Sequence, residues 1–287
     1  MFDVLKNIIM QAIILLGGQG TRLRDLYPDR PKALVPVAGR PFIDWQIDWL
    51  RRGGVTEVHL AAGFMAEQIE AWAATQGAVT VTREPTPLGT GGALKFIEPH
   101  IRSDPFLVVN GDTLLPKLDF QRLGKQHQTS SNDWKITTRN FQRLENEAEN
   151  DSNDCLPAHD APGSSLPMTS DIEELSLDRR QAGKTCIAVT RIEQAGRFGT
   201  VEFDVDGRVT AFREKADRQA GWINGGVYLM DRRVLDRIPS DTFYSLETDL
   251  FPSLIASDLL FAHRTEPPLL DMGTPEGLAE MERILNA

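Results

Sequence analysis

Ala12-Ile13-Ile14-Leu15-Leu16 passes without a break into Gly17-Gly18-Gln19-Gly20-Thr21-Arg22-Leu23, and Lys32 follows ten residues after Arg22. A short apolar run with no polar alternation predicts a strand covered on both faces. Glycines behind such a strand let the backbone turn tightly and bring bare N–H groups close to an anion. Arg22 can grip phosphate oxygens with its planar fork, and Lys32 adds a compact point charge. Two better-known phosphate loops do not fit. Leu23 stands where the third glycine of G-x-G-x-x-G belongs, and G-x-x-x-x-G-K-[ST] does not occur, which disfavours a dehydrogenase or a P-loop NTPase. A glycine-rich turn without a ligand is the alternative; the cluster of Arg22, Arg24, Arg30 and Lys32 argues for an anion.

The first half alternates strand and helix patterns. Strands are expected at 11–16, 57–61, 79–82 and 106–109, and helices at 42–52, 66–74 and 91–97. This order predicts an α/β fold, a Rossmann-like, mostly parallel sheet flanked by helices. Ligands of such sheets sit at the carboxyl ends of the strands. Three special sequences fall there: the glycine loop, Glu84-Pro85-Thr86-Pro87-Leu88-Gly89-Thr90, and Asn110-Gly111-Asp112. The second half is richer in strand, with candidates at 185–191, 200–203, 209–212 and 226–230. Asp206-Gly207 marks a hairpin turn. Helices are expected at 232–237, 248–257 and 275–285, with Pro275 near an N-terminus.

The chain therefore divides into an N-terminal extension (1–9), a first, alternating half (10–139), an acidic insertion (140–183), and a smaller β-rich lobe with the C-terminal helices (184–287), together one domain. The strand starts beside Met10, which is an alternative translation start. Residues 134–139 are strand-like, and 172–175 could form a short helix within the insertion.

The net charge of −10 is local. Residues 144–178 hold ten acids and no Lys or Arg; without them the remaining 31 acids balance 31 bases. A basic stripe for nucleic acid is lacking. Pro157, Pro162, Gly163 and Pro167 make the insertion read as a surface loop, with a protein partner as the alternative. No apolar run approaches the ~18 residues of a membrane span, and a signal peptide is not read at the start. Cys155 and Cys186 lack metal spacing, so a reduced, cytoplasmic compartment is expected. The five histidines are scattered, which argues against zinc or haem.

Chemistry on a bound triphosphate needs a divalent cation, and Mg²⁺ favours carboxylates. Asp112 follows an apolar strand and a glycine; Asp271 follows Leu269-Leu270. Each alone could equally cap a turn, but together they are candidate ligands. Glu214 can accept from sugar hydroxyls, Lys215 can meet a phosphate, and Asn224 offers an amide.

These residues resemble the sugar-1-phosphate nucleotidyltransferases. The likeness rests on GGQGTRL (17–23), PKALVPVAGRPFI (31–43), EPTPLGTGGAL (84–94), VVNGDT (108–113), RFGTV (197–201), FREK (212–215), INGGVYLM (223–230) and DMGTPEG (271–277). Within the family, PLGTGGA, RFGTV and INGGVYL are most similar to D-glycero-α-D-manno-heptose 1-phosphate guanylyltransferases. The resemblance implies nucleotidyl transfer from an NTP, GTP favoured, to a sugar 1-phosphate, heptose 1-phosphate favoured, giving an NDP-sugar and pyrophosphate. Mannose-1-phosphate guanylyl transfer and uridylyl or thymidylyl transfer are the alternatives; a non-catalytic nucleotide-sugar sensor is the alternative of another class. It implies catalytic roles for Arg22 and Lys32. Leu16, Gly17, Gly18, Gly20, Thr21, Glu84, Pro87, Gly89, Thr90 and Gly111 would bind nucleotide. Gly199, Glu214, Lys215 and Asn224 would hold the sugar phosphate, and Asp112 and Asp271 the Mg²⁺. Partners would be the two substrates, without nucleic acid or membrane; a homo-oligomer stays open.

Overall fold

The computed structural model describes residues 10–18, 20, 22–129, 183–193, 199–213 and 220–286. Thr21, Glu214 and Lys215 lie outside these residues, as do the extension, almost all of the insertion with Cys155, and the segments 134–139 and 172–175. Among the described residues, no helix is long and apolar enough to cross a membrane.

The chain runs β1 (Met10–Leu16), a short hairpin of β2 (Pro36–Val37) and β3 (Arg40–Pro41), then α1 (Phe42–Arg52) and β4 (Val55–Ala62). Next come α2 (Ala66–Ala73), β5 (Val79–Arg83), α3 (Gly89–Phe96), β6 (Phe106–Asn110), β7 (Thr113–Leu114) and α4 (Phe120–Thr129). Beyond the insertion follow β8 (Thr185–Ile192), β9 (Thr200–Phe203), β10 (Val209–Arg213) and β11 (Gly221–Met230). A 3₁₀ turn (Arg232–Arg237), a π-turn (Leu246–Leu250), α5 (Phe251–Ala256), β12 (Leu260–Thr265), β13 (Leu270–Asp271) and α6 (Pro275–Leu285) complete it.

One sheet of nine strands orders these as β10-β9-β11-β6-β1-β4-β5, with β8 on β11 and β12 on β8. β6, β1, β4 and β5 are mutually parallel, and β11 joins β6 antiparallel. The β-rich second half therefore extends the first sheet. β12 and α4 form where the sequence predicts no element. Polar His263 and Arg264 dilute the apolar signal of β12, and in α4 only Phe120, Leu123 and His127 are buried, among the polar Gln121, Arg122, Lys125 and Gln128. α3 begins at Gly89, two residues earlier than expected. The expected helix at 248–257 is split into the π-turn and α5.

β1 shows why both faces are covered. Ala12, Ile14 and Leu16 enter a core cluster with Phe42, Ile47, Leu50 and Met281, so α1 and α6 cover that face. Ile13 and Leu15 enter a second cluster with Ala93, Leu94, Phe251 and Leu254, so α3 and α5 cover the other. Burying each Ile, Leu, Phe or Met side chain among these is worth about 1.5–3 kcal/mol. α1 forms because Phe42, Ile43, Ile47 and Leu50 share a face, Asp44 sits in its first turn, and Arg51 and Arg52 sit in its last. Gly54, at φ +94°, turns the chain out of it.

Candidate active site

The carboxyl ends of β1, β5 and β6 open into one cavity of about 380 Å³. Ten of the expected residues line it: Leu16, Gly17, Gly18, Lys32, Glu84, Pro87, Gly89, Thr90, Gly111 and Asp112. Gly20 lies beside it at φ +57°, where a Cβ would come within 3.2 Å of the Lys32 stem. Arg22 is exposed on the following turn and outside the cavity lining.

Lys32 leaves a 3₁₀ turn (Lys32–Leu34) begun by Pro31, and its Nζ meets Asp112 Oδ2 at 2.6 Å. The β6–β7 turn that carries Asp112 is held from below. Gln46, on the buried face of α1, donates Nε2 to the carbonyls of Asn110 and Thr113 at 2.9 and 2.8 Å. The Gly111 N–H donates to Leu15 O at 3.0 Å, and a Cβ there would sit 2.5 Å from that oxygen. β13 pairs antiparallel with β7, and Met272 N donates to Asp112 O at 3.0 Å. Asp271 thereby stands opposite Thr113, the chain neighbour of Asp112, and outside the cavity lining, with its Oδ1 accepting from Gly273 N at 2.7 Å.

These two carboxylates are hard oxygen donors of the kind Mg²⁺ takes when phosphates and water complete its shell. Among the described residues, no cluster of three His, Cys, Asp or Glu side chains is suited to hold a metal by itself. The donor set thus fits a cation that arrives with its anionic ligand.

Glu84 follows β5 and is buried. Its Oε2 accepts from Leu88 N at 3.4 Å, while Oε1 has no partner among the described residues. Burial raises its pKa above 4.5, partly offset by the Leu88 N–H. Gly17 packs on this carboxylate, where a Cβ would lie 2.7 Å from Oε1. Asn110 Oδ1, in the same cavity wall, is a second buried acceptor without a partner among the described residues. The cavity therefore offers acceptors on its wall and the Lys32 ammonium in its lining.

The glycines of Gly89-Thr90-Gly91-Gly92 answer to the protein itself. Gly91 N and Gly92 N both donate to Tyr244 O, at 2.8 and 3.0 Å, and Tyr244 N donates to Leu88 O. Cβ atoms at Gly89 and Gly92 would lie 2.7 Å from Tyr244 O and 2.5 Å from Thr242 O. This close crossing brings Phe243 to the cavity rim. Gly92→Ala is expected to cost about 1–3 kcal/mol through overpacking; an unchanged thermal melt would show that the 241–245 segment yields instead.

Asn224 lies outside the cavity lining, on β11. The Ile223–Thr200 pairing puts Gly199 next in register to it. Between Asn224 and Tyr228 the register with β8 shifts, and Gly226 adopts φ +68°. Thr90 Oγ1 donates to Glu247 Oε2 at 3.1 Å, which connects the cavity wall to this strand. Asn110, Phe243, Tyr228 and Glu247 were not marked as site residues from sequence. Asn110 carries a signal in its place at a strand end and Tyr228 lies within INGGVYLM, while Phe243 and Glu247 carry none.

A family model described as MobA-like NTP transferase domain matches residues 12–238. The mannose-1-phosphate guanylyltransferase of Mycobacterium tuberculosis is 27% identical over 274 residues; the match covers 93% of this chain and 62% of that protein. The D-glycero-alpha-D-manno-heptose 1-phosphate guanylyltransferase of Campylobacter jejuni is 26% identical over 273 residues, covering 93% and 96%. The crystal structure of HddC from Yersinia pseudotuberculosis superposes with a TM-score of 0.68 at 25% identity, over 96% of this chain and 99% of that one. With this model matched over residues 12–238, most of its length, the chain belongs to the MobA-like NTP transferase domain family.

Proposed function

We propose that this protein transfers a nucleotidyl group from an NTP to a sugar 1-phosphate, releasing pyrophosphate, with GTP as the favoured donor. The observation that carries this reading is the single cavity in which the glycine loop, the Lys32–Asp112 pair and the buried Glu84 carboxylate meet. Gly17 and Gly18 present backbone to the triphosphate, and Lys32 offsets its charge. Arg22, on a mobile-length side chain at the adjacent turn, reaches the departing pyrophosphate. Asp112 and Asp271 would hold Mg²⁺, which when bound supplies neutralisation of phosphate charge. Thr21, Gly20, Pro87, Gly89, Thr90 and Gly111 frame the nucleotide.

On the acceptor side, Gly199, Glu214, Lys215 and Asn224 hold the sugar phosphate. Its phosphate monoester has a second pKa of about 6 and attacks the α-phosphorus as a dianion without a general base. The work of the site is to hold two anions together and in line. A carboxylate with a free acceptor suits guanine, whose Watson–Crick edge presents two N–H donors, better than uracil or thymine, which present one.

Heptose 1-phosphate is the favoured acceptor, since the Campylobacter relative is matched over nearly its whole length; the mycobacterial relative makes mannose 1-phosphate the second reading. The cytoplasm, where nucleotides are made, is the compartment this reading assigns. The test is pyrophosphate release with Mg²⁺, crossing GTP, UTP, dTTP, CTP and ATP with heptose-, mannose-, glucose- and N-acetylated sugar 1-phosphates. Turnover led by GTP supports the reading. Folded protein that turns over no pair overturns it and leaves a nucleotide-sugar sensor.

A further inference from the structure

We propose that Glu247 is a positioning residue that ties the nucleotide cavity to the acceptor strand and fixes the direction in which Asn224 offers its amide. This rests on the transferase reading above.

The argument is one of donors and acceptors. Gly226 N can only donate, and its partner is Asn224 Oδ1 at 2.8 Å. That fixes the amide orientation, so Asn224 Nδ2 donates to Tyr228 Oη at 2.8 Å. The Tyr228 proton must then go onward, and it reaches Glu247 Oε1 at 3.3 Å. On the other side Glu247 Oε2 accepts from Thr90 Oγ1 and Ser245 Oγ, each at 3.1 Å. The Thr90 hydroxyl in turn accepts from Leu246 N at 2.8 Å. Three hydroxyl or amide chains thus run toward one carboxylate.

Tyr228 is completely buried, and burial beside Glu247 holds its phenol protonated far above the ordinary range. Two consequences follow. One N–H of Asn224 is uncommitted among the described residues and is presented as a donor, the group an incoming phosphate or hydroxyl requires. Thr90 has spent its proton on Glu247, so it meets a ligand in the cavity only as an acceptor. Glu247 sits in a π-turn (Leu246–Leu250) capped by the Ser245 hydroxyl, which accepts from Glu247 N and Thr248 N. Such turns are rare and recur at functional sites.

The prediction separates this role from simple packing. Tyr228→Phe keeps the ring and removes only the relay oxygen. It is expected to raise KM for the sugar 1-phosphate about tenfold while leaving KM for the NTP within twofold. Glu247→Gln keeps size but supplies one acceptor and an unwanted donor, and it is expected to raise both KM values. The double variant should match Glu247→Gln in sugar-phosphate KM, because both changes cut one chain. The readout is steady-state pyrophosphate release by wild type and variants with the best substrate pair, alongside thermal melts. Unchanged sugar-phosphate KM in Tyr228→Phe, or additive effects in the double variant, overturns the inference while wild-type turnover stands. A wild type inactive with every pair overturns the transferase reading and this inference with it.

Discussion

Asp112→Asn is expected to lower turnover at least about a hundredfold, the usual loss when one transition-state charge partner is removed. The asparagine keeps the shape of the side chain, and the Gln46 bonds to Asn110 O and Thr113 O still hold the turn. What disappears is the charge that pairs with Lys32 at 2.6 Å and that would face Mg²⁺. The loss should fall on kcat, because freeing Lys32 strengthens its pull on the triphosphate and keeps nucleotide affinity near normal. A Mg²⁺ titration of pyrophosphate release checks this: the variant should need more metal and still not recover. Near-normal turnover would remove Asp112 from the chemistry. Arg22→Ala is expected to lose a similar factor with an unchanged melting temperature, since Arg22 is exposed.

Glu84→Gln is expected to raise KM for GTP about 10–100-fold, the range for losing a charge-assisted hydrogen bond of roughly 1.5–3 kcal/mol. The amide has one acceptor and one donor, a pattern that matches the N3–H and O4 of uracil or thymine. The same variant should therefore narrow the preference for GTP over UTP and dTTP. The pH dependence has a defined sign. Burial raises the Glu84 pKa above 4.5, and only the ionised form accepts two bonds. KM for GTP should rise as pH falls through that raised value, and Glu84→Gln should lack this limb. Because the folded pKa exceeds the unfolded one, ionising Glu84 costs the fold stability as pH rises through it. Glu84→Gln should accordingly melt higher than wild type at neutral pH and no higher below about 4.5. An unaltered GTP preference would place the base elsewhere.

The strands of the first half, and the clustering of the candidate site residues at their carboxyl ends, were legible in the chain alone. Local signals were enough for β1, β4, β5 and β6: short apolar runs, glycines behind them, and helices at 3.6-residue spacing between. The same signals placed Gly17, Gly18, Glu84, Gly111 and Asp112 at strand ends, which is why they converge in one cavity. What joins the two halves is visible only in three dimensions. β11 pairs with β6 and β8 at once, so the second half completes the first sheet, an arrangement no local propensity encodes. The glycines of α3 read as a phosphate or base loop in one dimension. In three they are cut small by Thr242 O and Tyr244 O crossing them, more than 140 residues away along the chain. Glu247 was invisible for the same reason: a glutamate at the start of a helix-like run is ordinary until Thr90, Tyr228 and Ser245 are seen to point their protons at it.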